Sequence, residues 1–422
     1  MYRYCSSLIL SVFLLSGCLA STPAPNYSAD VDKKVFVGED FLILQALFAT
    51  QNGNLKEAAG FYEELFDKSK RANYIKNAIR LSFQSEDSNL TNKLLDKALL
   101  AFPEDHEISR LKVGQLLKEN KVEEAKIIVA NLLESEKTEQ NYKILGAIYL
   151  HEQKFDLALS NFESAYALSQ NEQLLLQISD LYLRLNRVDD AISNLETYVR
   201  INGCTPNTCS KLLNIYGQKQ DIDGILSTYE KSYKAFKDDD SAQKIFDIYM
   251  YKNQPKAAIK FLEESDFNPE LLADMYAYDK QYDKAKSFAD KKYEETKDIN
   301  FLAKSAMFEY EGAKDKKKIL KSVSQKFEIV LKNSTDASYQ NFYGYLLIDH
   351  DIDIQRGINL VRLALEQDRK SPYYIDSLAW GLYKQNDCKR AYEFIKEAYE
   401  LLKEPEVVEH YNIIKQCVED KK

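Results

Sequence analysis

The residues able to do chemistry in this 422-residue chain are its cysteines, histidines and carboxylates. Four cysteines stand in its body: Cys204, Cys209, Cys388 and Cys417. An even number of thiols fits an oxidising compartment and reads as pairs. Cys204 and Cys209 bracket Thr205-Pro206-Asn207-Thr208, a short loop that a disulfide would staple. Buried free thiols or a metal site are the alternatives. Against metal, His106, His151, His350 and His410 are scattered, and no CxxC or HxxxH spacing occurs. There is no phosphate-cradling glycine loop, no GxSxG elbow and no HExxH helix in the sequence. The frequent acidic residues read as solvated helix faces rather than acid/base couples. No catalytic residue, cofactor or metal is therefore expected, and an enzyme, such as a cell-wall hydrolase, ranks last among the readings. The formal net charge of −9 gives no electrostatic reason to approach nucleic acid.

What positions these residues is helical. With only 13 Gly and 8 Pro but 29 Tyr, the composition argues for helices joined by short loops. Hydrophobic residues at 45 % suffice for a large core. The sharpest segment is 139–171, with Tyr142, Leu145-Gly146, Tyr149, Phe155, Ala158, Phe162 and Ala165. Tyr142, Leu145, Gly146 and Tyr149 share one helical face, as do Ala158, Phe162 and Ala165. Small residues at 146 and 158 let two helices approach closely, with Gln153 and Lys154 forming the turn. This segment resembles the tetratricopeptide repeat, Tyr standing where that family's pattern has Trp.

The unit recurs. Ala58, Thr91, Ala125, Ala158, Ala191, Ile225 and Ala258 follow one another at steps of 33 or 34 residues, and Ala285, Gly357 and Ala391 continue the series less evenly. Ile225 sits where a small residue is usual. Helices near 299–311 and 316–331 fill the gap before Gly357. Asn268-Pro269 forces the second helix of the unit around Ala258 to be short, and Ser241, after three aspartates, reads as a helix N-cap. The fold expected is all-α: a right-handed superhelical solenoid of about eleven such hairpins over residues 35–404. Residues 405–422 supply a capping helix and tail, since a solenoid's last hairpin otherwise exposes an apolar face. Parallel first helices bring Cys388, at a hairpin turn, level with Cys417 near the end of that cap.

The resemblance implies that first helices line a concave surface. Carried onto the middle units, the residues facing it are Asp180, Arg184, Asn214, Gln218, Asp247, Tyr251, Asp274 and Tyr278. Asp180, Asn214, Asp247 and Asp274 occupy one equivalent position, a mostly acidic ladder suited to an extended, basic partner segment. Trp380 and Tyr383 lie near the same surface, with burial against the cap the competing role for Trp380.

Residues 1–17 read as a leader. Arg3 precedes an apolar run, Leu8 to Leu15, too short to span a bilayer. The run ends in Leu15-Ser16-Gly17-Cys18, which resembles the lipobox of bacterial lipoproteins and implies a lipidated Cys18. Leu19 in place of Asp after that cysteine favours the outer membrane. Residues 18–34, polar and containing Pro23 and Pro25, form the lipidated start and a tether. The implied protein is a periplasm-facing, outer-membrane-anchored lipoprotein that acts as a scaffold or assembly factor. It would meet the membrane through its lipid and an envelope protein or peptide through its groove. The alternative is a structural part of a secretion, pilus or flagellar machine.

Overall fold

The computed structural model describes residues 35–420. Residues 1–34, with Cys18, the leader and the tether, lie outside the described residues. Among the described residues there are 23 helices and no strand. They fall into two compact units, Met1–Ala235 and Phe236–Lys422.

The first unit holds α1 (Glu39–Gln51), α2 (Leu55–Ser69), α3 (Ala72–Gln84), α4 (Ser88–Ala101), α5 (His106–Lys118), α6 (Val122–Ser135), α7 (Glu139–His151), α8 (Phe155–Ser169), α9 (Glu172–Arg184), α10 (Val188–Asn202), α11 (Pro206–Lys219) and α12 (Ile222–Phe236), whose last residue alone falls in the second unit. The second holds α13 (Asp239–Tyr251), α14 (Pro255–Ser265), α15 (Pro269–Tyr278), α16 (Tyr282–Thr296), α17 (Ile299–Gly312), α18 (Lys316–Asn333), α19 (Ala337–Asp349), α20 (Ile354–Gln367), α21 (Pro372–Lys384), α22 (Cys388–Leu401) and α23 (Pro405–Glu419). Odd and even helices pair as hairpins, α11 and α12 meeting where Gly224 sits against Tyr216, and α23 packs last on α22 and α21.

The turns explain how so little glycine suffices. Inside every pair but α17–α18 the chain reverses through one left-handed residue: Gly53, Glu86, Asn120, Gln153, Asn186, Gln220, Asn253, Lys280, Asp351 or Asn386. The next N–H then bonds back across the turn, as Lys154 N does to the Tyr149 carbonyl at 2.9 Å and Arg187 N to that of Tyr182 at 2.8 Å. That closure satisfies carbonyls at the helix end and is open to polar residues as well as glycine. Pro206, Pro255, Pro269, Pro372 and Pro405 each open a helix, where a missing N–H costs nothing. Asp238, rather than Ser241, caps α13: its carboxylate accepts from Ser241 N at 2.8 Å, so the cap lies three residues earlier than the sequence suggests. The second helix expected to be short before Asn268-Pro269 is α14, at 11 residues, and α15 after it is shorter still, at 10.

Close approach is written in the small residues. Ala58, Ala125, Ala158, Ala191, Ala258, Ala285 and Ala391 are all fully buried. A Cβ on Gly146 of α7 would lie 2.9 Å from the Phe162 ring of α8, so this glycine is what lets that ring seat. At the anomalous Ile225 the contact moves one residue: a Cβ on Gly224 would fall 2.3 Å from the Tyr216 ring of α11. The packing slot is conserved in space while α12 shifts to meet it. Leu175, Leu195 and Leu212 are fully buried in one cluster spanning α8 to α11, each contributing about 2 kcal/mol by removal from water.

First helices also run side by side within each unit: α3 touches α5 and α9 touches α11, and in the second unit α15 touches α17 and α19 touches α21. This adjacency creates rows of outward residues along each unit.

Candidate partner-binding faces

All eight residues expected to face a partner are exposed. In the first unit, α9 presents Asp180 and Arg184, one turn apart. The adjoining α11 presents Asn214 and Gln218, also one turn apart. Lys211 of α11 pairs with Asp180, reaching back to the preceding first helix. The Arg184 guanidinium lies 5.8 Å from the Phe155 ring centre, and Gln218 Nε2 donates to Asn214 Oδ1 at 2.9 Å.

In the second unit, Asp247 and Tyr251 lie on α13, and Asp274 and Tyr278 on α15. Gln243 Nε2 donates to Asp247 Oδ1 at 2.8 Å. Lys304 of α17 donates to Asp274 at 2.6 Å. Tyr251 and Tyr278 are 80 % and 63 % exposed, which is far more than tyrosines packed within a hairpin. The ladder thus differs in charge from its sequence reading: Asp180 and Asp274 are each neutralised by a lysine from the next first helix. Each unit presents a mixed row of ion pairs and amides, and in the second unit two open phenol rings. Such rings bury large area at low entropy cost and carry a polar tip.

The sequence missed a second feature. Met307 of α17, Ser338, Asn341, Phe342 and Tyr345 of α19, Tyr373, Tyr374, Asp376 and Ser377 of α21, and Glu406 of α23 line a cavity of about 360 Å³. The Tyr345 hydroxyl donates to Glu406. Burial, and then that carboxylate, push the Tyr345 phenol well above the ordinary tyrosine range. No motif could flag this cavity, because its walls come from four helices spread over about a hundred residues.

Behind it, Trp380 is buried, not open to a partner. It stacks on His410 of α23 at 4.1 Å between ring centres and on Tyr383 at 4.9 Å, and its Nε1 donates to Asp349 at 3.0 Å. His410 Nδ1 in turn lies 3.0 Å from Asp376 Oδ1, both residues buried. Cys388 and Cys417 are joined as a disulfide with Cα atoms 5.8 Å apart, tying the start of α22 to the end of α23. Cys204 and Cys209 are joined likewise, at 5.8 Å, across the loop into α11.

A further repeated contact links successive pairs. Tyr216 donates to Glu196 at 2.9 Å, Tyr276 to Glu263 at 2.7 Å and Tyr343 to Glu328 at 2.8 Å, and Tyr182 donates to Glu163. Each runs from a first helix to the second helix before it. Burial, then Glu163, hold the Tyr182 phenol up at about 12.

Among the described residues no cluster of His, Cys, Asp and Glu is arranged to hold a metal ion, and no helix is long and apolar enough to cross a membrane.

No family model and no curated protein sequence matches the chain. Solved structures with some likeness include the Cut9–Hcn1 hetero-tetramer of the APC/C, at 12 % identity and TM-score 0.38, covering 90 % of this chain and 97 % of that one. PilF of Pseudomonas aeruginosa gives 17 % and 0.36, covering 47 % of this chain and 92 % of that one. A tetratricopeptide repeat protein from Parabacteroides merdae gives 12 % and 0.36, covering 56 % of this chain and 97 % of that one. With these TM-scores below 0.5, the fold described above stands on this chain's own helices.

Proposed function

We propose that the chain is a partner-holding scaffold or assembly factor of a bacterial envelope, carried on the outer membrane by a lipid at Cys18. The observation that supports it most is the pair of exposed first-helix rows. Each hairpin buries its apolar side only against its neighbours, so the outward faces are free to bind. A row rich in amides, ion pairs and open tyrosines suits side-chain recognition of an extended segment more than reaction chemistry. The lipobox resemblance supports the anchor, and the two disulfides are at home in an oxidising envelope compartment.

Crosslinking in intact cells, followed by purification of this chain, should recover one defined envelope protein at reproducible stoichiometry. Recovery of a different set in each preparation, or of none, contradicts the scaffold reading. The anchor is tested separately: Cys18→Ser should leave the mature protein without its acyl chains, and unchanged acylation of that variant by mass spectrometry contradicts it.

A further inference from the structure

The first helix is apolar on two faces but packs on one. Leu42, Ala46 and Ala49 of α1 are buried against α2, while Phe41, Leu44, Leu47 and Phe48 are 64, 63, 52 and 68 % exposed. Val37, just before the helix, is fully exposed. A helix apolar all round ordinarily lies inside a structure.

The register of the hairpins shows what kind of surface this is. Counting back from the turn, Phe41 and Phe48 occupy the places taken by Ile108 and Gln115 in α5, Asn141 and Ile148 in α7, Leu174 and Leu181 in α9, and Thr208 and Ile215 in α11. All eight of those residues are at most 2 % exposed, covered by the packing of the hairpins around them. In α1 the same places are open.

The helix is also held in this orientation. Glu39, 3 % exposed, accepts from Arg71 Nη1 at 3.2 Å and from the Tyr74 hydroxyl at 2.6 Å, and Val35 N donates to it at 2.7 Å. Rolling the phenylalanines inward would tear this buried carboxylate from its three partners.

We infer that the open face of α1 docks into the interfacial layer of a phospholipid bilayer, so that the first hairpin lies against the membrane that carries the protein. This rests on the proposed lipid anchor at Cys18. Sixteen residues separate Cys18 from Val35, and a stretch of that length reaches about 55 Å at most even when fully extended. The sequence of that segment is polar, with two prolines and no apolar run to match the face. The exposed apolar area is roughly 600 Å², at the top of what isolated monomers carry and short of the roughly 800 Å² per partner that a specific dimer needs. An interfacial helix backed by a covalent lipid has no such threshold. The face carries no basic residue and the chain is acidic, so the docking is apolar in origin and indifferent to salt.

The test uses the lipidated protein reconstituted in vesicles of phosphatidylethanolamine with one quarter phosphatidylglycerol, doped with a lipid bearing a photoreactive group deep in its acyl chain. Peptide mapping should place the label on residues 37–48, with the yield unchanged by high salt. Phe41→Gln with Phe48→Gln should lower it at least about tenfold while circular dichroism and melting stay as in the parent. Label confined to residues before 35 overturns the docking but leaves the anchor standing. Crosslinks from α1 to α1 of another copy, without lipid label, overturn it in favour of self-association. Protein that carries no acyl chain overturns the anchor and this inference with it.

Discussion

Gly357 should be the residue at which a single methyl group does most harm to the second unit. It lies near the start of α20, back to back with Gly344 of α19. A Cβ at 357 would stand 2.6 Å from the Gly344 carbonyl oxygen and 2.7 Å from Ile348 Cγ1. Two opposed effects follow from Gly357→Ala. Alanine is the better helix former by about 1 kcal/mol. Against that, an ordinary contact requires α20 to retreat by about 0.8 Å from a neighbouring backbone, which has no rotamer through which to yield. Overpacking of this kind costs about 1–3 kcal/mol, and the backbone obstacle places it at the upper end. The net expectation is a loss of about 2 kcal/mol, or about 4–8 °C in melting temperature for a unit of this size. Gly60 of α2 supplies the control: nothing lies within 4 Å of its Cβ position, so Gly60→Ala should gain up to about 1 kcal/mol. The assay is calorimetry of the full chain, with hydrogen exchange at α19 and α20 identifying the affected transition. A Gly357→Ala protein as stable as its parent, or a Gly60→Ala protein destabilised to the same extent, would refute the packing argument.

Other expectations follow from single contacts. Cys417→Ser releases α23 from α22; closing the sequence separation of 29 between Cys388 and Cys417 is worth about 3–4 kcal/mol, so amide protection in α23 should fall by about two orders of magnitude or more while α19 is unchanged. His410→Ala leaves the buried Asp376 without its partner and removes a ring from the Trp380 stack, and should cost about 2–3 kcal/mol, read as loss of protection at α23. Tyr216→Phe keeps the ring on Gly224 and deletes only the hydroxyl to Glu196, so its cost in thermal or urea melting should stay near 1 kcal/mol. Burial alone would raise the Asp290 carboxyl, but hydrogen bonds from Lys286 and Ser305 and the charge of Lys326 hold it below the ordinary aspartate range. A depressed folded value means stability present above the unfolded aspartate pKa and lost as pH falls through the folded one. Asp290→Asn should therefore flatten the acid limb of stability below about pH 4, and an unchanged acid limb counts against the assignment.

The backbone plan was legible because stacking imposes a period on residue size. The buried alanines 58, 125, 158, 191 and 258 lie where the 33–34 residue step puts them, Ala285 and Ala391 are as buried although the series is less even there, and the sparse interval before Gly357 holds the two helices expected there, α17 and α18. Ile225 shows the limit: sequence position marks the slot, but the helix shifted so that Gly224 fills it, a movement with no local signature. The exposure of the eight partner-facing residues followed from the same register. Their charge state did not, because it depends on long side chains reaching between hairpins. Lys211 and Lys304 lie 31 and 30 residues beyond the aspartates they neutralise, and opposite charges a few residues short of one period are the signal that could have revealed them. The cavity beside Tyr345 and the Trp380–His410–Asp376 stack required knowing how α23 lies on α21, which no periodicity encodes.

The claim on which the functional account turns is that a partner is held on the exposed first-helix faces. Replacing Tyr251 and Tyr278, one at a time, by a photoreactive aromatic residue in living cells tests it most directly, with the exposed second-helix residues Leu168 and Ile201 as reference positions. One strong adduct of the same protein is expected from both tyrosine positions, with little from the reference pair. Equal labelling at all four positions, or adducts only from Leu168 and Ile201, would contradict it.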